Sequence, residues 1–113
     1  MVNYYSLGEV GNRKWGVWEV LDCGSGFCMK RLKVNPRSSL SKQKHFHRAE
    51  TWIVVAGNGS VLVEDTISPA RVGDVFYIPM NAIHQLLSGA EGIEVIELQK
   101  GEILDENDIV RYS

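Results

Sequence analysis

Gln43-Lys44-His45-Phe46-His47-Arg48-Ala49-Glu50 is the stretch on which the reading of this chain turns, and a lone His84 comes later, directly after Pro79-Met80-Asn81-Ala82-Ile83. On a strand, side chains at i and i+2 share a face, so Gln43 and His45 point the same way. An inward polar pair in a closed β structure needs a partner, and a metal ion would supply one. Glu50 opens the next strand after a four-residue corner, and the turn Pro79 to Ala82 feeds His84 into another. Two imidazoles, a carboxylate and an amide oxygen make a first shell for a divalent ion that leaves positions open for substrate. No other part of the sequence offers comparable chemistry.

Outward from that stretch, the apolar residues alternate with polar ones in short runs, the pattern of half-buried strands. The expected strands are Trp15 to Leu21, Phe27 to Val34, Trp52 to Val55, Ser60 to Glu64, Val75 to Ile78, Ile83 to Leu87 and Ile93 to Leu98. Asp22 to Gly26, Asn35 to Ser39, Gly57-Asn58-Gly59, Asp65 to Asp74, Pro79 to Ala82 and Ser88 to Gly92 are read as the turns between them. Seven or more strands at this spacing suggest a sandwich or barrel. Leu104 to Arg111 reads as a short acidic turn followed by an extended arm.

The chain has 113 residues, 44% of them hydrophobic and 23% charged, enough for one core and not for two, so a single domain over 1–113 is expected. A formal charge of −2 with interspersed signs offers no basic stripe for nucleic acid, and no apolar run approaches the ~18 residues of a membrane helix. The expected partners are small molecules or protein. Met1-Val2-Asn3-Tyr4-Tyr5 lacks the basic and apolar regions of a secretory signal, so a cytoplasmic location is expected. Cys23 and Cys28 flank a glycine-punctuated turn; two half-buried thiols are expected there rather than a disulfide or a zinc site.

The spacing then becomes specific. The sequence resembles the double motif of the cupin superfamily, G-x5-H-x-H-x3,4-E-x6-G followed by G-x5-P-x-G-x2-H. Six residues separate Glu50 from Gly57, five separate Gly73 from Pro79, and His84 closes the second motif. Counting back from Glu50 puts the leading ligand positions at Gln43 and His45, with Gln in place of the first His. His47 would leave only two residues before Glu50 and is read as a corner residue. The resemblance implies an all-β double-stranded β-helix, a jelly-roll barrel.

Within the cupins, Gln43 to Trp52, Arg13 to Gly16 and the closing Gly101-Glu102 to Asp108-Ile109-Val110-Arg111 resemble the cupin domain of type II phosphomannose isomerases, usually the C-terminal part of bifunctional mannose-1-phosphate guanylyltransferase/mannose-6-phosphate isomerases. Lys14 stands where that family usually has Pro, Lys42 where it has an apolar residue, Thr51 where it often has His, and Asn81 where the second motif has Gly. Asparagine tolerates the left-handed conformation that glycine would supply. The 113 residues stop short of the family's Tyr-Gly-Arg ending, and they contain no glycine-rich phosphate loop for nucleotidyl transfer.

The resemblance implies a metal-dependent sugar-phosphate isomerase interconverting mannose 6-phosphate and fructose 6-phosphate through an enediol, in nucleotide-sugar and polysaccharide biosynthesis. The metal would polarise the carbonyl as a Lewis acid. With neutral Gln43 beside His45, Glu50 and His84, zinc is the expected ion, with Mn, Fe, Ni and Co as alternatives. Lys30 interrupts the core-facing row Cys28, Leu32 and Val34, and is expected as a proton shuttle or sugar-oxygen donor, or else as a lysine snorkelling to the barrel mouth. Arg48 would grip phosphate or form a salt bridge at the corner. Trp15, Trp18 and Trp52 read as core or interface aromatics, any of which would also suit sugar stacking. Phe46 points outward, and a homodimer is expected. Two other functions stay open: a non-catalytic module for sugar phosphate or nucleotide sugar, and a different metallocupin reaction such as dioxygenation.

Overall fold

The computed structural model describes residues 1–112, and every regular element among them is a strand. In chain order these are β1 (Val2–Asn3), β2 (Val10–Arg13), β3 (Gly16–Gly24), β4 (Phe27–Val34), β5 (Gln43–Lys44), β6 (Arg48–Val63), β7 (Thr66–Arg71), β8 (Val75–Ile78), β9 (His84–Gly101), β10 (Ile103–Leu104) and β11 (Val110–Arg111). One sheet runs β11-β5-β9-β4-β3-β2, and β6 joins it by pairing with β9 while carrying β7 and β8 on its other side. Short β1 pairs in parallel with β10.

The curl of this sheet into a barrel comes from β6 and β9, which pair twice. Arg48 to Gly57 runs against Gly101 back to Ile93, and Gly59 to Val63 runs against Ser88 back to His84. Between the two ladders the register shifts at Val54/Ala56 and Gly57/Gly59. Gly57-Asn58-Gly59 and Ser88 to Gly92 are therefore bends inside two long strands, not the chain-reversing turns the sequence suggested. Gly57 has φ +72°, and a Cβ there would lie 2.1 Å from the Gly92 oxygen, so only glycine allows the close backbone approach at this corner.

The expected loop Asp65 to Asp74 likewise contains β7. Glu64-Asp65 forms the two-residue hairpin turn, with Val63 opposite Thr66 and Glu64 at φ 54°. Pro69 hides that strand in the sequence; it is tolerated because β7 pairs on one side only, leaving an edge where no donor is needed.

Alternation along each strand divides inside from outside. Val20, Leu32, Val34, Trp52, Val54, Val61, Leu86, Ile93 and Val95 fill the interior. The same inward rows contain Lys30, Gln43, His45, Arg48, Glu50, His84, Glu97 and Gln99, all buried, so one end of the barrel is lined with polar groups. Cys23 and Cys28 face each other across the β3–β4 hairpin as free thiols. Asn81 takes φ 68°, the left-handed conformation expected of it, and donates its N–H to the His45 oxygen (2.9 Å), tying the turn before β9 to the turn before β6.

Candidate metal centre

Each side chain at the polar end is aimed by strand register. Gln43 pairs with His84 across β5 and β9, Glu50 with Gln99 across β6 and β9, and Lys30 with Glu97 across β4 and β9. Directly paired residues share a face, so the side chains of Lys30, Gln43, Glu50, His84 and Glu97 meet in one cavity of about 240 Å³. His45 comes from the turn between β5 and β6. Its Nε2 lies 3.6 Å from Glu50 Oε2, and His84 Nε2 lies 3.4 Å from Glu50 Oε1. The two imidazole rings are 5.0 Å apart.

Both rings are held by their far nitrogens. His45 Nδ1 is 2.7 Å from the Asp108 carbonyl oxygen, and His84 Nδ1 is 2.9 Å from that of Ala82. A carbonyl can only accept, so each Nδ1 carries a proton, and in the neutral ring each Nε2 turns a lone pair toward the Glu50 carboxylate. With both rings neutral, Glu50 Oε1 has no hydrogen-bond donor although it is fully buried. A buried carboxylate whose two oxygens each face an imidazole Nε2, one of those oxygens without a donor, fits a divalent cation, and His45, Glu50 and His84 form a three-residue group able to hold one. Gln43 lines the same cavity; its amide nitrogen donates to Ser41 O (3.0 Å), which leaves the amide oxygen as the atom available to an ion.

Charges around this group set the protonation states. Burial alone would raise the Glu50 carboxyl, but Arg48 and the two histidines overcome it and hold the group well below the usual range. Desolvation brings His45 down to about 4, with Arg48 acting in the same direction against Glu50. His84 is raised: desolvation opposes its charge, and the adjacent Glu50 carboxylate outweighs that, the charged ring being the form in which Nε2 donates to Oε1. A metal there would replace that proton.

Arg48 is buried, and its nitrogens are engaged within the protein. Nε donates to Glu50 Oε2 (2.9 Å), Nη1 to Asp105 O (3.2 Å), and Nη2 makes a longer contact of 3.3 Å with His45 Nε2. The structure thus places it as the corner salt bridge, one of its two expected roles. Lys30 does not snorkel. It is 2% exposed, ion-paired to Glu106 at 2.9 Å, and capped by the rings of Tyr5 and Trp18, each 4.1 Å from Nζ.

Several residues of this cavity escape a reading by motif. Glu97 accepts from Trp52 Nε1 (3.0 Å) and Gln99 Nε2 (2.8 Å), and burial together with the Glu50 charge pushes it up to about 7. Glu106 pairs with Lys30 and also accepts a short hydrogen bond from the Tyr5 hydroxyl. Asp108 holds His45 through its carbonyl and takes the N–H groups of Phe46 and His47 on its two carboxylate oxygens (2.9 and 3.0 Å). The signal for Glu97 was its place in the alternating row Ile93, Val95, Glu97, Gln99. His47 is exposed, outside the cavity, as is Phe46, whose ring lies 5.1 Å from Lys44 Nζ. Trp15, Trp18 and Trp52 all line the cavity.

A curled β barrel holding a His, Glu, His cluster at its open end defines the cupin class, and solved structures agree on the fold. A cupin-2 domain from Rhodospirillum rubrum superposes with a TM-score of 0.74 at 18% identity, covering 96% of this chain and 84% of that one. A Streptomyces PAC13 variant with uridine gives 0.75 at 19%, covering 94% and 85%. More narrowly, residues 4–113 match the model of the family described as mannose-6-phosphate isomerase C-terminal, and the chain belongs to that family.

Among relatives by sequence, the xanthan biosynthesis protein XanB of Xanthomonas campestris pv. campestris (strain B100) is 42% identical over 101 residues, 88% of this chain and 22% of XanB. Mannose-1-phosphate guanylyltransferase of Escherichia coli (strain K12) is 38% identical over 102 residues, 89% of this chain and 21% of that enzyme. The alginate biosynthesis protein AlgA of Pseudomonas syringae pv. tomato is 40% identical over 101 residues, 88% and 21%.

The chain thus spans about a fifth of the length of these relatives. That overturns the expectation that it is by itself an isomerase interconverting mannose 6-phosphate and fructose 6-phosphate. The relatives' names give guanylyl transfer and polysaccharide biosynthesis, and they belong to proteins several times longer. No helix among the described residues is long and apolar enough to cross a membrane.

Proposed function

We propose that this chain is a metal-holding cupin module that binds a mannose phosphate and serves mannose-1-phosphate guanylyl transfer in cytoplasmic polysaccharide biosynthesis. The observation that carries the proposal is the buried Glu50 carboxylate, its Oε1 3.4 Å from His84 Nε2 and its Oε2 3.6 Å from His45 Nε2, with both rings fixed by backbone carbonyls in one cavity. Relatives named for mannose-1-phosphate guanylyltransferase, xanthan and alginate biosynthesis support the ligand class and the setting. Gln43, His45, Glu50 and His84 would hold the ion, with zinc favoured by a mixed nitrogen and oxygen donor set. When bound, the ion would supply a Lewis-acidic anchor for sugar oxygens.

The other cavity residues orient what binds there. Trp52 and Trp15 give apolar walls, Glu97 an acceptor or donor for a hydroxyl according to its protonation, and Arg48 fixes Glu50. Metal analysis of the purified protein, followed by calorimetry of the zinc-loaded form with mannose 6-phosphate and mannose 1-phosphate, tests the reading. Binding of either sugar that disappears after chelation supports it. Absence of affinity for both, in protein shown to contain one metal per chain, would sink it.

The same proposal extends to a homodimer. Ile53, Val55, Val75 and Tyr77 are exposed on one face of β6 and β8, adjacent to Ile96 and Leu98 of β9, an apolar patch bordered by the Arg31–Glu94 ion pair, with Arg31 opposite Ile96. Sedimentation velocity should show a dimer that Val75→Glu converts to monomer; a wild-type monomer at high micromolar concentration would remove the idea.

A further inference from the structure

Two cations at the rim of the cavity differ from the three other positively charged residues lining it. Lys30 is bound to Glu106, Arg48 to Glu50, and Arg13 sits 3.7 Å from Glu106 with its guanidinium over Trp18. Lys14 and Arg111 also line the cavity, and neither side chain has a hydrogen bond or ion pair among the described residues. In all, five cations face the space against three carboxylates, Glu50, Glu97 and Glu106, in a protein whose overall charge is −2. The local excess is positive, and its free part is at the mouth.

The register places this pair relative to the metal centre. Arg111 is the cross-strand partner of Gln43, which is in turn the partner of His84, so the three side chains form one row on the inner face of β11, β5 and β9. Adjacent strands are ~4.8 Å apart, so Arg111 and His84 sit on backbones separated by ~10 Å. Lys14, in the turn between β2 and β3, borders the same mouth. Arg48, with its nitrogens engaged internally, leaves this role to the rim.

We propose that Arg111 and Lys14 form a phosphate subsite, which seats the phosphoryl group of a hexose monophosphate at the cavity mouth while the sugar points inward to the His45, Glu50 and His84 cluster. The idea rests on the sugar-phosphate reading above and assigns its anionic end. Arg111 supplies a planar fork for two phosphate oxygens, and Lys14 a point charge. Both are partly hydrated before binding, so the subsite should depend on salt.

The experiment uses the full chain loaded with zinc, with calorimetry for mannose 6-phosphate and mannose and phosphorus NMR for inorganic phosphate. Arg111→Ala and Lys14→Ala should each weaken mannose 6-phosphate binding about tenfold, as expected for loss of one charge-assisted contact. Both should leave zinc content and mannose affinity unchanged. Arg71→Ala, on β7 away from the cavity, is the charge-matched control and should have no effect. Mannose 6-phosphate affinity should fall with added salt in the wild type and less steeply in Arg111→Ala.

Wild-type affinity for mannose 6-phosphate in both rim variants overturns the subsite while leaving the sugar-phosphate reading intact. Arg111-dependent binding of inorganic phosphate without any binding of mannose 6-phosphate keeps the subsite and defeats that reading. No binding of either compound overturns the subsite as well.

Discussion

At the residue scale the decisive feature is a buried carboxylate with two different obligations. Glu50 Oε2 answers the Arg48 guanidinium and lies beside His45, and Oε1 faces His84. Removing its charge should therefore cost twice. Glu50→Gln leaves Arg48 buried and unpaired, which should destabilise the fold by about 3–5 kcal/mol in urea unfolding, and it should abolish high-affinity zinc binding. Glu50→Gln combined with Arg48→Met should recover part of the stability and none of the metal affinity. Equal stability in wild type and Glu50→Gln would contradict the pairing.

Acid sensitivity of the metal-free protein follows from the same group. His45 is held at about 4 in the folded state against an ordinary 6.5, so between those values the unfolded chain takes a proton that the native state refuses. The contribution of this residue should fall as pH drops from 6.5 toward 4, by at most about 1.4 kcal/mol per pH unit. Glu50, lowered well below 4.5, adds its loss only at still lower pH. His84 has the opposite sign: being raised, it contributes fully below 6.5 and loses its contribution as pH rises through its folded value. Glu97, held at about 7 against an ordinary 4.5, also opposes His45 across most of this range, so His45 is read by difference: unfolding free energies measured across pH 4 to 7 in the presence of chelator should lose, in His45→Gln, a component that falls toward acid pH.

At the scale of elements, the motif glycines have separate tasks although the sequence presents them alike. Gly57 sits at the bend where β6 crosses close to β9, with positive φ and the Gly92 carbonyl 2.1 Å from an added Cβ. Gly73 also has positive φ (+94°), but nothing lies within 4 Å of its missing Cβ. Gly57→Ala should cost more than about 3 kcal/mol or prevent folding, whereas Gly73→Ala should cost about 1 kcal/mol from backbone strain alone. Thermal unfolding of the two variants side by side checks the contrast, and similar losses would refute it.

This contrast also marks what could be read in advance. Matching the intervals from Glu50 to Gly57 and from Gly73 to His84 to the cupin double motif set Gln43, His45, Glu50 and His84 together in advance, and all four line one cavity. The bends at Gly57 to Gly59 and Ser88 to Gly92 read as turns, since a glycine that lets two strands touch looks like one that reverses the chain. Glu97 was hidden because β9 offers apolar residues on both faces, Val95 inward and Ile96 outward. The Tyr5, Lys30, Glu106 network and the Asp108 brace join residues from opposite ends of the chain, and no spacing rule reaches that far.

At the scale of the whole molecule, the cavity is a cost that the rest of the barrel supports. Lys30, His45, Arg48, Glu50, His84 and Glu97 are all buried in a domain with one modest core, and ionic groups taken out of water recover their desolvation only through close pairing. The candidate ligands come from β5, the following turn, β6 and β9, and the segment from Asp105 to Asp108 closes over them through Arg48 and His45. An ion bound there would couple the first half of the chain to its last ten residues. Because it would bind the native state alone, stabilisation should grow with free metal concentration, reaching about 2.7 kcal/mol at one hundred times its dissociation constant. For a domain of this size that is a rise of roughly 10 °C in Tm. Protein stripped with chelator should melt lower, zinc should restore the transition in a concentration-dependent way, and Glu50→Gln should remove that dependence. If no divalent ion shifts the wild-type Tm, the polar end of the barrel has its charges for another reason, and the metal assignment falls with it.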